Sequence, residues 1–341
     1  MKRTRIENIH HLNKKVKHQS KLFCHDVAVY ILSYLGSDYD EISRYMLIDQ
    51  TFFEATKCSI TSFKDNEKFS SSNIIGLLNS FRSLKSLDIS VQYSGFHNFD
   101  CSSIESVNLL RLEGLKDMSV VVNEIIGDVN RWKKLKILKT PVLIKKMTNI
   151  NIEELYLGHH RPIYAPIVFN FANPPKFGYA LEIGTRHVPS HENIIRDMKT
   201  LKRLSIGHGD LSHDAMTKIF KSISEKELDF LEIDHIISFD PFIHLENTHI
   251  DTIKVNSGSL SGFRGVNLKN VKTLVLHDLP QEFCSGPTTL KITGGPLVYY
   301  GELLNYHLDK LTFTSRINEF CLNSIVTQLK NNGNHVKVVE A

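Results

Sequence analysis

The sequence predicts an α/β repeat array, in which one short strand per repeat lies parallel to the next and a small helical segment precedes the first. Three observations carry this. A short pattern, apolar-x-x-Leu-x-apolar, recurs along most of the 341 residues. Its copies are spaced too regularly for chance leucine pairs, and the stretches between them show helical periodicity wherever they are long enough. With 41% apolar and 23% charged residues, the chain has ample material for a buried core.

The copies, in order, are Leu84 to Ile89, Val107 to Leu112, Trp132 to Ile137, Ile152 to Leu157, a weaker Gly178 to Ile183, Leu201 to Ile206, Leu228 to Ile233, Ile250 to Val255, Val271 to Leu276 and Leu308 to Phe313. A degenerate copy, Pro287 to Ile292, lies before the last. From Leu87 to Leu311 the central residues are separated by 23, 25, 20, 26, 23, 27, 22, 21, 16 and 21 residues. β-Branched content and Gly or polar ends mark the segments as strands. Helical returns are expected over 72–81, 120–131, 190–200, 212–226 and 317–332, the last stopped by Gly333. The helix over 317–332, with the strand Val336 to Val338 after it, is expected to close the C-terminal end, because a terminal repeat left bare exposes its apolar face.

In pattern and spacing the array resembles leucine-rich-repeat proteins, in their irregular, long-repeat form. The consensus Asn after the strand is missing, as at Gly158 and His277. The resemblance implies a solenoid over 72–341 with a parallel concave sheet. In such a sheet the residue between two inward ones points out. That rule nominates Asp88, Arg111, Lys136, Tyr156, Glu182, Ser205, Glu232, Lys254, Val275, Lys291 and Thr312 as a mixed-charge row for a protein partner, binding through loops being the alternative.

Residues 22–56 carry three short amphipathic helical patterns and no alternation, and 57–71 reads as a linker. Val27 to Leu35, a break at 36–38, Asp40 to Asp49 and Phe52-Phe53 resemble an F-box, with Leu22-Phe23 where that family has Leu-Pro and no Cys-Lys in the ending. The resemblance implies a substrate receptor of a cullin-RING ubiquitin ligase: Val27, Ile31, Leu32, Leu35 and Ile42 would meet a Skp-type adaptor of the cullin complex, while the repeats hold an unknown protein substrate. A plain N-terminal cap burying the same residues, on a repeat scaffold with no ligase link, is the other reading.

Residues 1–21 form a basic tail, expected to be disordered, with seven Lys or Arg and one acid. Lys2-Arg3, ten residues, then Lys14, Lys15 and Lys17 match the spacing of a bipartite nuclear import signal read by an import receptor, the plain alternative being a solvated tail. Without the tail, 34 basic residues face 36 acidic ones. The body therefore lacks the charge a nucleic-acid binder would need.

The five cysteines are scattered, with no Cys-x-x-Cys pair, and read as reduced thiols. No N-glycosylation acceptor, signal peptide or membrane-spanning run is visible, so a cytoplasmic or nuclear location is expected. His10-His11 and His159-His160 put their side chains on opposite faces if extended. Gly207-His208-Gly209-Asp210 reads as a turn with glycines at positive φ. No metalloprotease, nucleophile-elbow, Walker or dinucleotide motif occurs, so no catalytic residue, metal or cofactor is expected.

Overall fold

The computed structural model describes residues 27–30, 32, 39–46, 50–65, 74–90, 95–112, 118–158, 191–207, 213–236, 240–258, 266–277, 288–293, 309–313, 323, 327, 331 and 337–340. The chain divides into two compact units, Met1–Leu135 and Lys136–Ala341.

The first unit opens with helical residues 27–30 and 32, then α1 (Tyr39–Met46) and α2 (Gln50–Ser59). Ala28, Leu32 and Ala55 form the buried centre of this helical segment, with Val29 and Phe52 packed against them, and Ile42 is fully buried. Fully burying one such aliphatic side chain contributes about 1.5–3 kcal/mol. In α2 the Thr56 hydroxyl donates to the Phe52 carbonyl (2.6 Å), so a polar residue is buried satisfied.

Three parallel strands follow, β1 (Ser62–Lys64), β2 (Ser86–Asp88) and β3 (Ser106–Asn108), in register at Phe63, Leu87 and Val107. Phe63, Leu87 and Val107 are inward and buried, as the repeat pattern requires. The ladder thus begins inside the stretch read as a linker: α2 runs to Ser59 and β1 starts at Ser62. The expected frame of β3 is also corrected. Both Val107-Asn-Leu109 and Leu110-Arg-Leu112 fit apolar-x-apolar, but Val107 is the residue paired with Leu87, and Leu110–Leu112 turns into a 3-10 segment. Helices α3 (Ile74–Ser80) and α4 (Met118–Ile126) are the returns, each burying residues three and four apart.

A further 3-10 turn, Phe96–Asn98, begins at Gly95, whose φ of 82° is left-handed and suits glycine. Phe96 stacks on Trp132 at 6.4 Å between ring centroids. The Arg131 guanidinium then ties the loop down by donating to the carbonyls of Phe96 and Phe99, and it lies 3.4 Å from Cys101 Sγ.

The second unit carries β4 (Ile137–Thr140), β5 (Glu154–Leu157), β6 (Arg203–Ile206), β7 (Glu227–Ile236), β8 (His249–Gly258), β9 (Val271–Leu276), β10 (Thr289–Ile292), β11 (Lys310–Phe313) and β12 (Lys337–Glu340). Each pairs in parallel with the next in chain order, a connection that demands a crossover between every pair. Leu138, Leu155, Leu204, Leu231, Ile253, Leu274 and Leu290 stand in register and are fully buried. Thr140, Leu157, Ile206, Ile233, Val255, Leu276 and Ile292 form a second inward row two residues on, and they too are buried.

Here the sequence frame of β4 also shifts by three: the inward residues are Leu138 and Thr140, not Leu135 and Ile137. Thr140 occupies an apolar slot because its hydroxyl donates to the Val142 carbonyl (2.7 Å). β5 pairs directly with β6, and the copy expected at 178–183 lies outside the described residues. Helices α5 (His191–Asp197) and α6 (His213–Ile223) back the sheet, α6 through Met216, Ile219, Phe220 and Ile223. Phe220 meets Phe242 edge-on at 5.1 Å, and Lys226 caps the end of α5 by donating to the Arg196 (2.9 Å) and Met198 (2.7 Å) carbonyls. Of the expected C-terminal helix, residues 323, 327 and 331 are described and helical.

Candidate partner-binding face

Alternation in each strand places one residue between the two buried rows on the face turned away from the core, called here the open face. In the second unit that central row runs Lys139, Tyr156, Ser205, Glu232, Lys254, Val275, Lys291 and Thr312. Seven of these eight match the sequence-derived row. The eighth, Lys139, replaces Lys136, which sits before β4 and pairs with Glu153 at 3.0 Å on the surface. A parallel row two residues earlier carries Glu154, Arg203, Phe230, Thr252, Thr273, Thr289 and Lys310.

From β4 to β8 these side chains hold one another. Lys139 Nζ lies 4.7 Å from the Tyr156 ring centroid, and the Tyr156 hydroxyl donates to Glu154 Oε2 (3.4 Å). Burial, with the Glu154 charge beside it, pushes the Tyr156 hydroxyl above its ordinary pKa. Arg203 reaches Glu154 at 3.8 Å and covers the Phe230 ring at 4.8 Å.

Glu232 is the best-held group on this face. Lys254 Nζ (2.7 Å) and Asn256 Nδ2 (3.0 Å) donate to Oε1, and Ser205 Oγ donates to Oε2 (3.3 Å). Burial by itself would raise its pKa, but the hydrogen bonds from Lys254 and Asn256, the Lys254 charge and the Ser205 bond outweigh it, so the carboxyl stays below the usual range. Asn256 Nδ2 also donates to Asp234 Oδ1 (3.3 Å), which extends the network along β8.

Gly158 and Gly207, which follow β5 and β6, present no side chain. A Cβ at Gly158 would stand 2.8 Å from the Gly207 Cα, so two glycines allow adjacent chains to approach. The role expected for Gly207, a turn at positive φ, is replaced by this one: among the described glycines only Gly95 has positive φ.

In the first unit, Asp88 lies on the open face as expected, but the open-face residue of β3 is Asn108. Arg111 reaches the same place from the 3-10 segment: Nη1 donates to the Asp65 carbonyl (3.0 Å) and lies 3.5 Å from both Asp65 Oδ1 and Asp88 Oδ1. Asp65 is buried in an inward slot, where its carboxylate accepts from the Ser90 amide (2.9 and 2.8 Å) and the Ser90 hydroxyl (2.5 Å). Desolvation raises the pKa of Asp88, Arg111 only partly offsetting it. The repeat pattern had no means of finding this cluster, since it reads a carboxylate at an inward slot as no repeat at all.

Of the residues nominated for adaptor contact, Leu32 and Ile42 are corrected: at 2% and 0% exposure they belong to the unit's own core. Val27 is exposed at 41%, and Tyr30, not nominated, at 65%. Ile31, Leu35, Glu182 and the tail residues Lys2, Arg3, Lys14, Lys15 and Lys17 lie outside the described residues. Among the described residues no group of three His, Cys, Asp or Glu is placed to hold a metal, and no helix is long and apolar enough to cross a membrane.

One parallel strand per repeat, two buried apolar rows and returns on the other side define a leucine-rich-repeat α/β fold. No protein-family profile matches the sequence, and no curated protein matches it. Among solved structures, internalin C2 from Listeria monocytogenes is similar, with a TM-score of 0.36 and 15% identity over 70% of this chain and 91% of that one. The fold is defined by the strand ladder itself.

Proposed function

We propose that the chain is a non-catalytic protein-binding module whose partner lies on the open face of β4 to β11. The observation that carries this reading is the Glu232 network with its Tyr156 and Arg203 neighbours. Charged and aromatic groups stand there on rigid strands, already oriented by one another, so binding costs little side-chain entropy. A mixed, ordered row of this kind favours a partner of complementary charge order.

The test is affinity capture with the intact chain and with Arg203→Glu combined with Glu232→Lys, circular dichroism confirming an unchanged fold. Partners held by the wild type and lost by the double variant support the reading. Identical partner sets overturn it.

A second reading is favoured by Val27 and Tyr30, exposed one helical turn apart on the segment that resembles an F-box. There the segment would dock a Skp-type adaptor and the chain would serve as a ligase substrate receptor, active wherever the basic tail directs it. Co-purification with such an adaptor, abolished by Val27→Lys with Tyr30→Lys, supports it, and absence of the adaptor from the wild-type complex removes it.

A further inference from the structure

The open face is electrostatically uneven along the second unit. On β5 to β8 the cations have carboxylates: Arg203 has Glu154 at 3.8 Å and Lys254 has Glu232 at 2.7 Å. On β9 to β11 the described positions of this row include Thr273, Val275, Thr289, Lys291, Lys310 and Thr312, of which Val275 is buried, and no carboxylate stands among them. The side chains of Lys291 and Lys310 form no ion pair or hydrogen bond with a described residue, and Lys310 is exposed. Their positions are diagonal across β10 and β11, with Thr289 directly beside Lys310 and Thr312 directly beside Lys291.

We propose that this end of the face docks an extended Asp/Glu-rich segment of the partner protein, a proposal that rests on the open face being the binding surface. Geometry and charge both favour it. Strands about 4.8 Å apart, with two residues of rise between the lysines, set the two positions roughly 8 Å apart. Alternate side chains of an extended chain repeat every ~6.6 Å, within the reach of flexible lysine stems, so successive carboxylates can each meet one ammonium. The hydroxyls of Thr289 and Thr312 stand beside them as additional donors to the same carboxylates. On β5 to β8 the open-face cations Arg203 and Lys254 already have carboxylates, so an acidic segment meets less competition at this end.

The test uses the full chain and fluorescein-labelled decapeptides read by anisotropy: alternating Glu and Asp, Gly-Ser repeats, a lysine decamer and a phosphoserine peptide, with a thymidine decanucleotide beside them. The expected result is binding of the Glu/Asp peptide alone. It should weaken about tenfold with Lys291→Glu/Lys310→Glu, by a smaller factor with Lys291→Gln/Lys310→Gln, and again as salt is raised. An affinity unchanged in both variants, or tighter binding of the phosphoserine peptide or the oligonucleotide through the same lysines, overturns the proposal. Its failure is separable from that of the open-face reading. If Arg203→Glu/Glu232→Lys abolishes partner capture while the lysine variants leave peptide affinity unchanged, only the acidic-segment proposal falls; if neither pair has an effect, both fall.

Discussion

Replacing Asp65 by alanine removes the acceptor at the centre of the first unit. The Asp65 carboxylate is fully buried and takes donors from the Ser90 amide and hydroxyl, with Arg111 at 3.5 Å. Hydrogen bonds to a charged group contribute about 1.5–3 kcal/mol each, and breaking a buried pair by removing one partner costs about 3–5 kcal/mol. The alanine variant should therefore lose about 4 kcal/mol. The chain has one tryptophan, Trp132, buried within this unit, so its fluorescence reports urea unfolding there. With an m value of about 2 kcal/mol/M, the midpoint should fall by about 2 M. A fall below ~0.5 M would mean the cluster contributes less than about 1 kcal/mol and would refute the argument.

Three further outcomes are expected. Glu232 has a folded pKa held below its ordinary 4.5, so its contribution to stability is present above that value and lost as pH falls through the folded pKa; Glu232→Gln should narrow the stability difference between pH 7 and pH 3, measured by thermal unfolding. Cys101 is buried and its thiol is pushed up to about 12 by burial, so it should resist iodoacetamide at pH 8 until the unit unfolds, whereas rapid labelling of the native chain would contradict its placement. Gly158→Val should destabilise the second unit, because its Cβ would meet Gly207 backbone rather than a movable side chain, and an unchanged melting temperature would argue against the close approach.

Most of the ladder was legible because its inward slots are leucine, isoleucine or valine at fixed offsets. Ile152 to Leu157, Leu201 to Ile206 and each described copy after them fell in the true register. The frame slipped where leucines recur every three residues. Around Leu109 to Leu112 and Leu135 to Leu138 two frames fit equally, and only pairing with the neighbouring strand selects one. β1 was hidden because Asp65 stands where the pattern wants an apolar residue, and its satisfaction by Ser90 and Arg111 is tertiary.

The open-face row followed from the register, but its internal pairing did not: Lys254 and Glu232 lie 22 residues apart and meet only because β7 and β8 are adjacent. In the helical segment, amphipathic spacing identified the apolar positions yet not which way they turn. Leu32 and Ile42 went inward, and Tyr30 was left out.

The central claim, that the open face of the second unit receives the partner, is tested most directly by photo-crosslinking. A benzoylphenylalanine is placed in turn at Tyr156, Ser205 and Lys254 on the open face, and at Lys218 and Lys221 on α6. Crosslinks to one partner from the three strand positions and none from α6 are predicted. Crosslinks from α6 alone would contradict the claim.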